Sequence, residues 1–146
     1  MNAADISRKP SLAGAKALLA ASNLPTVDIT PEHCEHFYYV GRHAEPEGLI
    51  GLEILGEVAL LRSLVVAEFR RATGAGTALL EHAEREAGRA GVSTIYLLTT
   101  TAERFFAKRG YRQAERASAP ESIRLTREFS GLCPASSTFM VKHLGA

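Results

Sequence analysis

Cysteine is scarce in this chain of 146 residues: Cys34 and Cys133 lie far apart, in neither a CxxC nor a zinc-ribbon pattern. That spacing argues against a disulfide-stapled secreted domain and leads us to expect a reducing, cytoplasmic setting. Net charge is nearly absent too. With 17 Lys+Arg against 16 Asp+Glu the balance is +1, so no general field draws the molecule toward nucleic acid or an anionic membrane, and any anion site must be local. No segment approaches the roughly 20 apolar residues of a membrane helix. Residues 1–10 contain Asp5 and no apolar core of signal-peptide length, so no leader or anchor is expected. Repeats and linkers are also missing. Hydrophobic residues at 46% and charged residues at 23% exclude wholesale disorder, coiled coil and collagen-like repeats. The expectation is one domain over residues 1–146 with one core.

The pattern of apolar residues divides the chain into short elements. Ser11 can cap a helix with Leu12, Ala15, Leu19 and Ser22 on one face, ended by Asn23 and Pro25. Thr30-Pro31 repeats the start signal for a short helix running toward His36. Residues 37–40, 49–55 and 58–66 are apolar, separated by residues 45–48 and by Gly56, and predict an antiparallel meander of three strands. After Gly74 the period changes: Ala75, Leu79, Ala83, Ala87 and Ala90 recur at helical spacing up to Gly91. Residues 94–99 read as a short strand, so strand, helix and strand predict a right-handed crossover and a parallel pair. Thr100 and Glu103 have capping-box spacing before a short helix that Gly110 ends. A strand is expected over 111–117, a helix over 120–129, a loop over 131–137 and a last strand over 138–143.

The most informative stretch runs from Leu60 to Gly76, a strand that passes through a loop rich in Arg and Gly directly into a helix. At a helix start several N–H groups lack helical partners and the peptide dipoles favour negative charge, so a phosphate is held well there. Gly74 and Gly76 remove side chains where a pyrophosphate must approach the backbone, and Arg70 or Arg71 can add a charge-assisted contact. Gly-x-Gly alone also fits a turn with close helix packing. The third glycine of a dinucleotide fingerprint and the Gly-Lys-[Ser/Thr] ending of a P-loop are both absent.

Arg71-x-x-Gly74-x-Gly76 after an apolar strand resembles the acetyl-CoA motif, [Gln/Arg]-x-x-Gly-x-[Gly/Ala], of the GNAT superfamily of N-acetyltransferases. The stretch from Ala102 to Tyr111 is similar to that family's helix ending in Lys-x-Gly-[Phe/Tyr]. Three further stretches, from Leu61 to Val66, from Tyr96 to Thr101 and from Thr126 to Ser136, resemble the arsenic-resistance N-acetyltransferase branch. The resemblance implies an α+β GNAT fold: a central mixed, mostly antiparallel sheet with one parallel, splayed strand pair, and helices on both faces. It implies acetyl-CoA as co-substrate, a small amine as acceptor, direct acetyl transfer, room for a homodimer, and a possible place in arsenic resistance. The cofactor would lie against Leu64, Val65, Val66, Arg71, Thr73, Gly74, Ala75, Gly76, Thr77, Thr99 and Phe105.

Two positions depart from the family pattern. Arg62 stands where many relatives place a carboxylate base, and Phe106 where many place a tyrosine acid. An arginine inside an apolar strand demands partners. Two uses are open: an ion pair with Glu53 on the adjoining strand, or a grip, together with Arg127, on an acidic group of the substrate. Glu53 is the candidate base through water, with an ion-paired strand residue as the other reading; Ser63 either orients substrate or packs. Tyr111 reads as packing. His33 and His36 share a helix face but match no zinc signature, so no metal is expected. Cys133 falls in a loop near the expected mouth. The function expected is N-acetylation of a small, acidic, amino-acid-like amine; the rival is a non-catalytic acyl-CoA-binding module, favoured by Arg62 and Phe106.

Overall fold

The computed structural model describes residues 5–145; residues 1–4, where the stretch read as free of a leader begins, lie outside them. The Ser11 side chain accepts from the Gly14 N–H at 3.0 Å and starts α1 (Leu12–Ala21). Thr30 starts α2 (Pro31–Cys34) through a reciprocal capping box, in which His33 Nδ1 accepts from the Thr30 N–H at 3.1 Å. The strands are β1 (Ser7–Arg8), β2 (Phe37–Arg42), β3 (Glu45–Leu55), β4 (Val58–Val66), β5 (Thr94–Thr99), β6 (Arg112–Gln113) and β7 (Thr138–His143). They form one sheet in the order β1-β2-β3-β4-β5-β7-β6. Among the described residues only β4 and β5 pair in parallel, and α3 (Ala75–Arg89) makes the crossover between them. Two short helices, α4 (Glu103–Ala107) and α5 (Glu121–Arg124), follow.

The strands alternate their side chains between two apolar faces. On one, Leu79, Leu80, Ala83 and Ala87 of α3 cover Val40, Ile50, Leu61, Ile95 and Leu97, with Phe106 of α4 alongside. The opposite face is covered in two patches. Ala15 and Leu19 of α1 and Cys34 of α2 lie over Phe37, Tyr39, Leu49 and Val65; Ile123 of α5 lies over Leu60 and Phe139. Each buried leucine-sized side chain contributes about 1.5–3 kcal/mol. The gap between the two patches is filled by charge.

Four boundaries differ from the sequence expectation. Residues 45–48 belong to β3 instead of the turn, which sits at His43 and Ala44; a register shift at Val40/Gly41 lets Pro46 stand opposite Gly41. The strand expected over 111–117 stops at Gln113, and a 3-10 turn (Arg116–Ser118) follows, held by Arg116 donating to the carbonyls of Pro134 and Ser137. The helix expected over 120–129 breaks in two at Thr126, whose Oγ1 donates to the Ile123 carbonyl at 2.7 Å and accepts the Phe129 N–H at 3.3 Å, and a separate π-helical turn (Glu128–Leu132) follows. Thr100 caps nothing: Thr99 Oγ1 accepts the Ala102 N–H at 3.0 Å instead.

Gly51 stands between Phe37 on β2 and Arg62 on β4 in one row across the sheet. A Cβ built there would lie 2.3 Å from the Phe37 ring. Alanine ordinarily gains over glycine in a strand, but here steric overlap reverses the sign. Gly51→Ala is expected to lower stability by about 1–3 kcal/mol, measured by urea unfolding.

Candidate active site

A bulge and a fork shape the centre of the sheet. β3 and β4 pair Leu49 with Val65 and Gly51 with Arg62, so Ile50 alone faces both Ser63 and Leu64. At this bulge Ser63 adopts φ +62°, a left-handed conformation unusual outside glycine. β4 pairs with β5 only as far as Leu61 opposite Leu97. Past that point β5 stays with β7, out to Thr99 opposite Thr138. The wedge left between β4 and β5 is a cleft of about 350 Å³, walled by Ser63, Leu64, Thr99, Phe106, Glu128 and Ser137 among others. Backbone groups of β4 beyond Leu61 have no β5 partner, so an extended ligand can pair with them.

A second cleft of about 330 Å³ opens where α3 begins. Gly74, at φ +85°, is its cap residue and supplies no side-chain hydrogen bond. The first helical bond runs from the Ala78 N–H to the Gly74 carbonyl at 3.0 Å, so the amides of Ala75, Gly76 and Thr77 precede the helical ladder and suit an anion. Arg71 lines this cleft, donating Nε to the Val66 carbonyl at 3.2 Å. Arg70 is tied to Glu47 at 2.6 Å. Arg109 stacks 3.7 Å over the Phe105 ring and donates to Thr77 Oγ1 at 2.8 Å, a cationic wall that sequence reasoning missed. Unscreened amides, glycines and arginines fit a pyrophosphate. Of the proposed cofactor residues, Val66, Arg71, Gly74, Ala75, Gly76, Thr77 and Phe105 line this cleft, and Leu64 and Thr99 line the first. Thr73 lines neither and donates to the Arg70 carbonyl; the Val65 side chain is buried on the opposite face.

Arg62 dominates the floor of the fork. Its guanidinium is sequestered from solvent, and each of its N–H donors faces an acceptor. Nη1 and Nη2 bind both oxygens of Asp28, the latter at 2.9 Å, and Nη1 also donates to Glu53 at 2.9 Å. Nε donates to Ser63 Oγ at 3.1 Å, and Nη2 lies 3.4 Å from Glu128 Oε1. The ion pair with Glu53 is therefore present, joined by two carboxylates that sequence reasoning missed. Arg62 commits four of its five N–H donors to hydrogen bonds with Asp28, Glu53 and Ser63 and turns toward Glu128 with no exposed side-chain surface, which leaves little of it for a substrate anion, and Arg127 is exposed and lines neither cleft. Glu53 does not line the fork cleft, and Ser63 Oγ is occupied by Arg62.

Burial works to raise the Asp28 pKa, but the Arg62 hydrogen bond and charge outweigh it and hold the carboxyl below its usual range. Glu128 goes the other way. Burial, with Asp28 and Glu53 adding repulsion against the attraction of Arg62, pushes it up to about 7. Cys133, at the cleft wall, is pushed up to about 11 by burial and then by Glu128, so it stands as a thiol at neutral pH. His33 approaches Glu53 at 3.9 Å, and Asp28, His33 and Glu53 are close enough to share a cation. Arg62 already supplies the positive charge to both carboxylates. Tyr111 donates its hydroxyl to Glu84 at 2.9 Å, consistent with packing.

Among the described residues, a sheet forked at its one parallel pair with an uncapped, arginine-lined helix start beside the fork is an arrangement that fits a long phosphorylated thioester. The chain belongs to the acetyltransferase (GNAT) family, whose profile matches residues 15–111. It is 39% identical over 72 residues to an amino-acid acetyltransferase of Ralstonia nicotianae, a match covering 49% of this chain and 15% of that protein. Among solved structures it resembles N-acetylglutamate synthase from Neisseria gonorrhoeae complexed with coenzyme A and L-arginine, with TM-score 0.80 and 22% identity, over 97% of this chain and 33% of that one. It also resembles Rv2747 from Mycobacterium tuberculosis in complex with CoA, with TM-score 0.77 and 15% identity, over 94% of this chain and 98% of that one. The two structural likenesses speak for the fold. The chain spans a minor part of the amino-acid acetyltransferase and of the synthase.

Two substitutions test this geometry. A Cβ at Gly76 meets Phe105 at an ordinary 3.6 Å, so Gly76→Ala should leave the free protein as stable or about 0.5–1 kcal/mol more so. It should weaken CoA binding by about tenfold, or about 1.4 kcal/mol, read by calorimetric titration. Arg62→Met strips the buried carboxylates of their counter-charge and should cost about 3–5 kcal/mol at pH 8, read by urea unfolding.

Proposed function

We propose that this chain transfers the acetyl group of acetyl-CoA directly to the primary amine of a small, amino-acid-like substrate seated in the fork. The observation that carries this reading is the unpaired stretch of β4 beside the uncapped start of α3: Leu64 lines one cleft and Val66 the other. The pyrophosphate would lie on the amides of 75–77 with Arg71 and Arg109, and the pantetheine arm along the backbone of Leu64 to Val66, with Thr99 opposite. Holding amine and thioester together supplies much of the rate through proximity. An N–H of the bulged strand aimed at the thioester oxygen would stabilise the charge that grows there. The amine preference is supported by the amino-acid acetyltransferase relative.

An acidic side chain on the acceptor is the narrower reading. It is supported by the N-acetylglutamate synthase neighbour, also solved with coenzyme A and N-acetyl-glutamate. Since Arg62 is engaged, it would organise the floor, and Arg127 stays a candidate for the acid group only through its place in the chain next to Glu128, which lines the fork. The arsenic link rests on sequence likeness, which makes a glutamate-like arsenical a natural member of the substrate panel. Both cysteines are free, which supports a reducing, cytoplasmic setting, and no helix among the described residues is long and apolar enough to cross a membrane. A non-catalytic acyl-CoA-binding module is favoured by Phe106, which lines the cleft without a hydroxyl to donate.

Free CoA release separates the readings. With acetyl-CoA and a panel of L-glutamate, L-aspartate, neutral amino acids, spermidine and a glutamate-like arsenical, turnover is expected with amino acids and absent with spermidine. Thermal stabilisation by acetyl-CoA with no turnover on any amine would establish the binding-module reading instead.

A further inference from the structure

Acetyl transfer to an amine needs a group that takes a proton from the ammonium form, and β4 offers Arg62 where such a group is expected. We propose that Glu128 takes that proton, reaching the fork from the π-helical turn of the C-terminal segment in place of a carboxylate on the strand. This rests on the acetyl-transfer reading above.

The geometry separates Glu128 from its neighbours. Asp28, Glu53 and Glu128 all face Arg62, but only Glu128 among them lines the fork cleft. Asp28 is bound through both oxygens, and Glu53 is held by Arg62 on one side with His33 on the other. The Glu128 side chain, 6% exposed, has the Arg62 contact at 3.4 Å and no hydrogen bond among the described residues. Its lone pairs are accordingly available to an ammonium. A second observation points to a polar ligand in the same place. Ser137 Oγ is the buried side-chain polar atom without a hydrogen-bond partner among the described residues, and Ser137 belongs to the same cleft wall.

The charged and titratable groups facing Glu128 are Arg62 on β4, Asp28 before α2, Glu53 on β3 and Cys133 on its own segment, with His33 of α2 behind Glu53. Burial together with the two acids sets the carboxyl near neutrality, where a base works efficiently. In the step, the Glu128 carboxylate accepts one proton from R–NH3+ and becomes a carboxylic acid. The freed lone pair forms the C–N bond at the thioester carbon, the C–S bond breaks, the second nitrogen proton ends on the departing sulfur, and Glu128 returns its proton to solvent. The products are the acetamide, CoA thiol and one proton.

The decisive measurement is carbon-13 NMR titration of the Glu128 side chain in the wild-type protein, with and without CoA, assigned with Glu128→Gln. A midpoint near 7 is expected; a midpoint near the ordinary glutamate value overturns the assignment even if acetyl transfer is confirmed. For kinetics, acetyl-CoA is paired with the acceptor of the panel that turns over fastest. Glu128→Gln should lower kcat/KM for the amine about 100- to 1000-fold at pH 7.5, leave KM for acetyl-CoA within about threefold, and lose the acid limb near pH 7. Its deficit should shrink toward pH 9.5, where the amine loses its own proton. An unchanged pH profile in a folded Glu128→Gln overturns the proposal. Should that variant unfold, Glu128→Asp must show a shifted acid limb, and an unshifted one overturns it equally. Absence of turnover with every amine defeats the acetyl-transfer reading and with it the proposal.

Discussion

The guanidinium of Arg62, enclosed without solvent, is the constraint around which the central sheet is organised. A charge in that position is tolerable only if opposite charge is delivered to it. Asp28 comes from the segment before α2, Glu53 from β3 and Glu128 from the turn after α5. Each belongs to a different stretch of chain, so satisfying one cation brings three stretches onto one face of β4. The same face lacks apolar cover there, between the patch under α1 and α2 and the patch under α5. Gly51 opposite Arg62 keeps the row narrow, and the Phe37 ring fills the space a side chain would have taken.

The bulge carries this constraint to the ligand side. Because Ser63 turns into the left-handed region directly after Arg62, the strand changes register with β3 and its pairing with β5 ends at Leu61. Ser63 is held there by the Arg62 Nε bond. The residue that gathers the carboxylates thus also fixes the point where the sheet forks. From there the chain needs only the short loop through Arg70 and Arg71 to place the amides of α3 beside the opening.

Much of this was legible in order but not in depth. The caps at Ser11 and Thr30, the meander, the crossover helix and the last strand follow from local chemistry, because caps and apolar periods are written within a few residues of their effect. The helix expected over 120–129 breaks at a place the apolar pattern does not encode, where the Thr126 hydroxyl bonds to its own backbone neighbours, the Ile123 carbonyl and the Phe129 N–H. At the site, Gly74 and Gly76 advertise an anion by type and spacing. Arg62 advertises only that it needs partners. Glu53 was foreseeable as a neighbour on the next strand, whereas Asp28 and Glu128 lie 34 and 66 positions away in the sequence and are brought near by the packing of whole elements. A lone acid in an irregular segment carries no signal until the sheet is assembled.

Stability and reactivity draw on the same charges in opposite senses. Asp28, lowered in the fold, contributes stability above its unfolded pKa of 3.8 that is lost as pH falls through its folded value. Glu128, raised from 4.5 to about 7, binds its proton more tightly in the folded state, so its contribution declines as pH rises from about 4.5 to about 7. Above that window the fold holds a carboxylate it would rather keep neutral. One guanidinium cannot neutralise three ionised acids, and the unbalanced charge falls on the acid that faces the cleft. A cationic amine arriving there relieves the imbalance by sharing its proton, so the charge that weakens the empty fold favours the ligand and prepares it for attack.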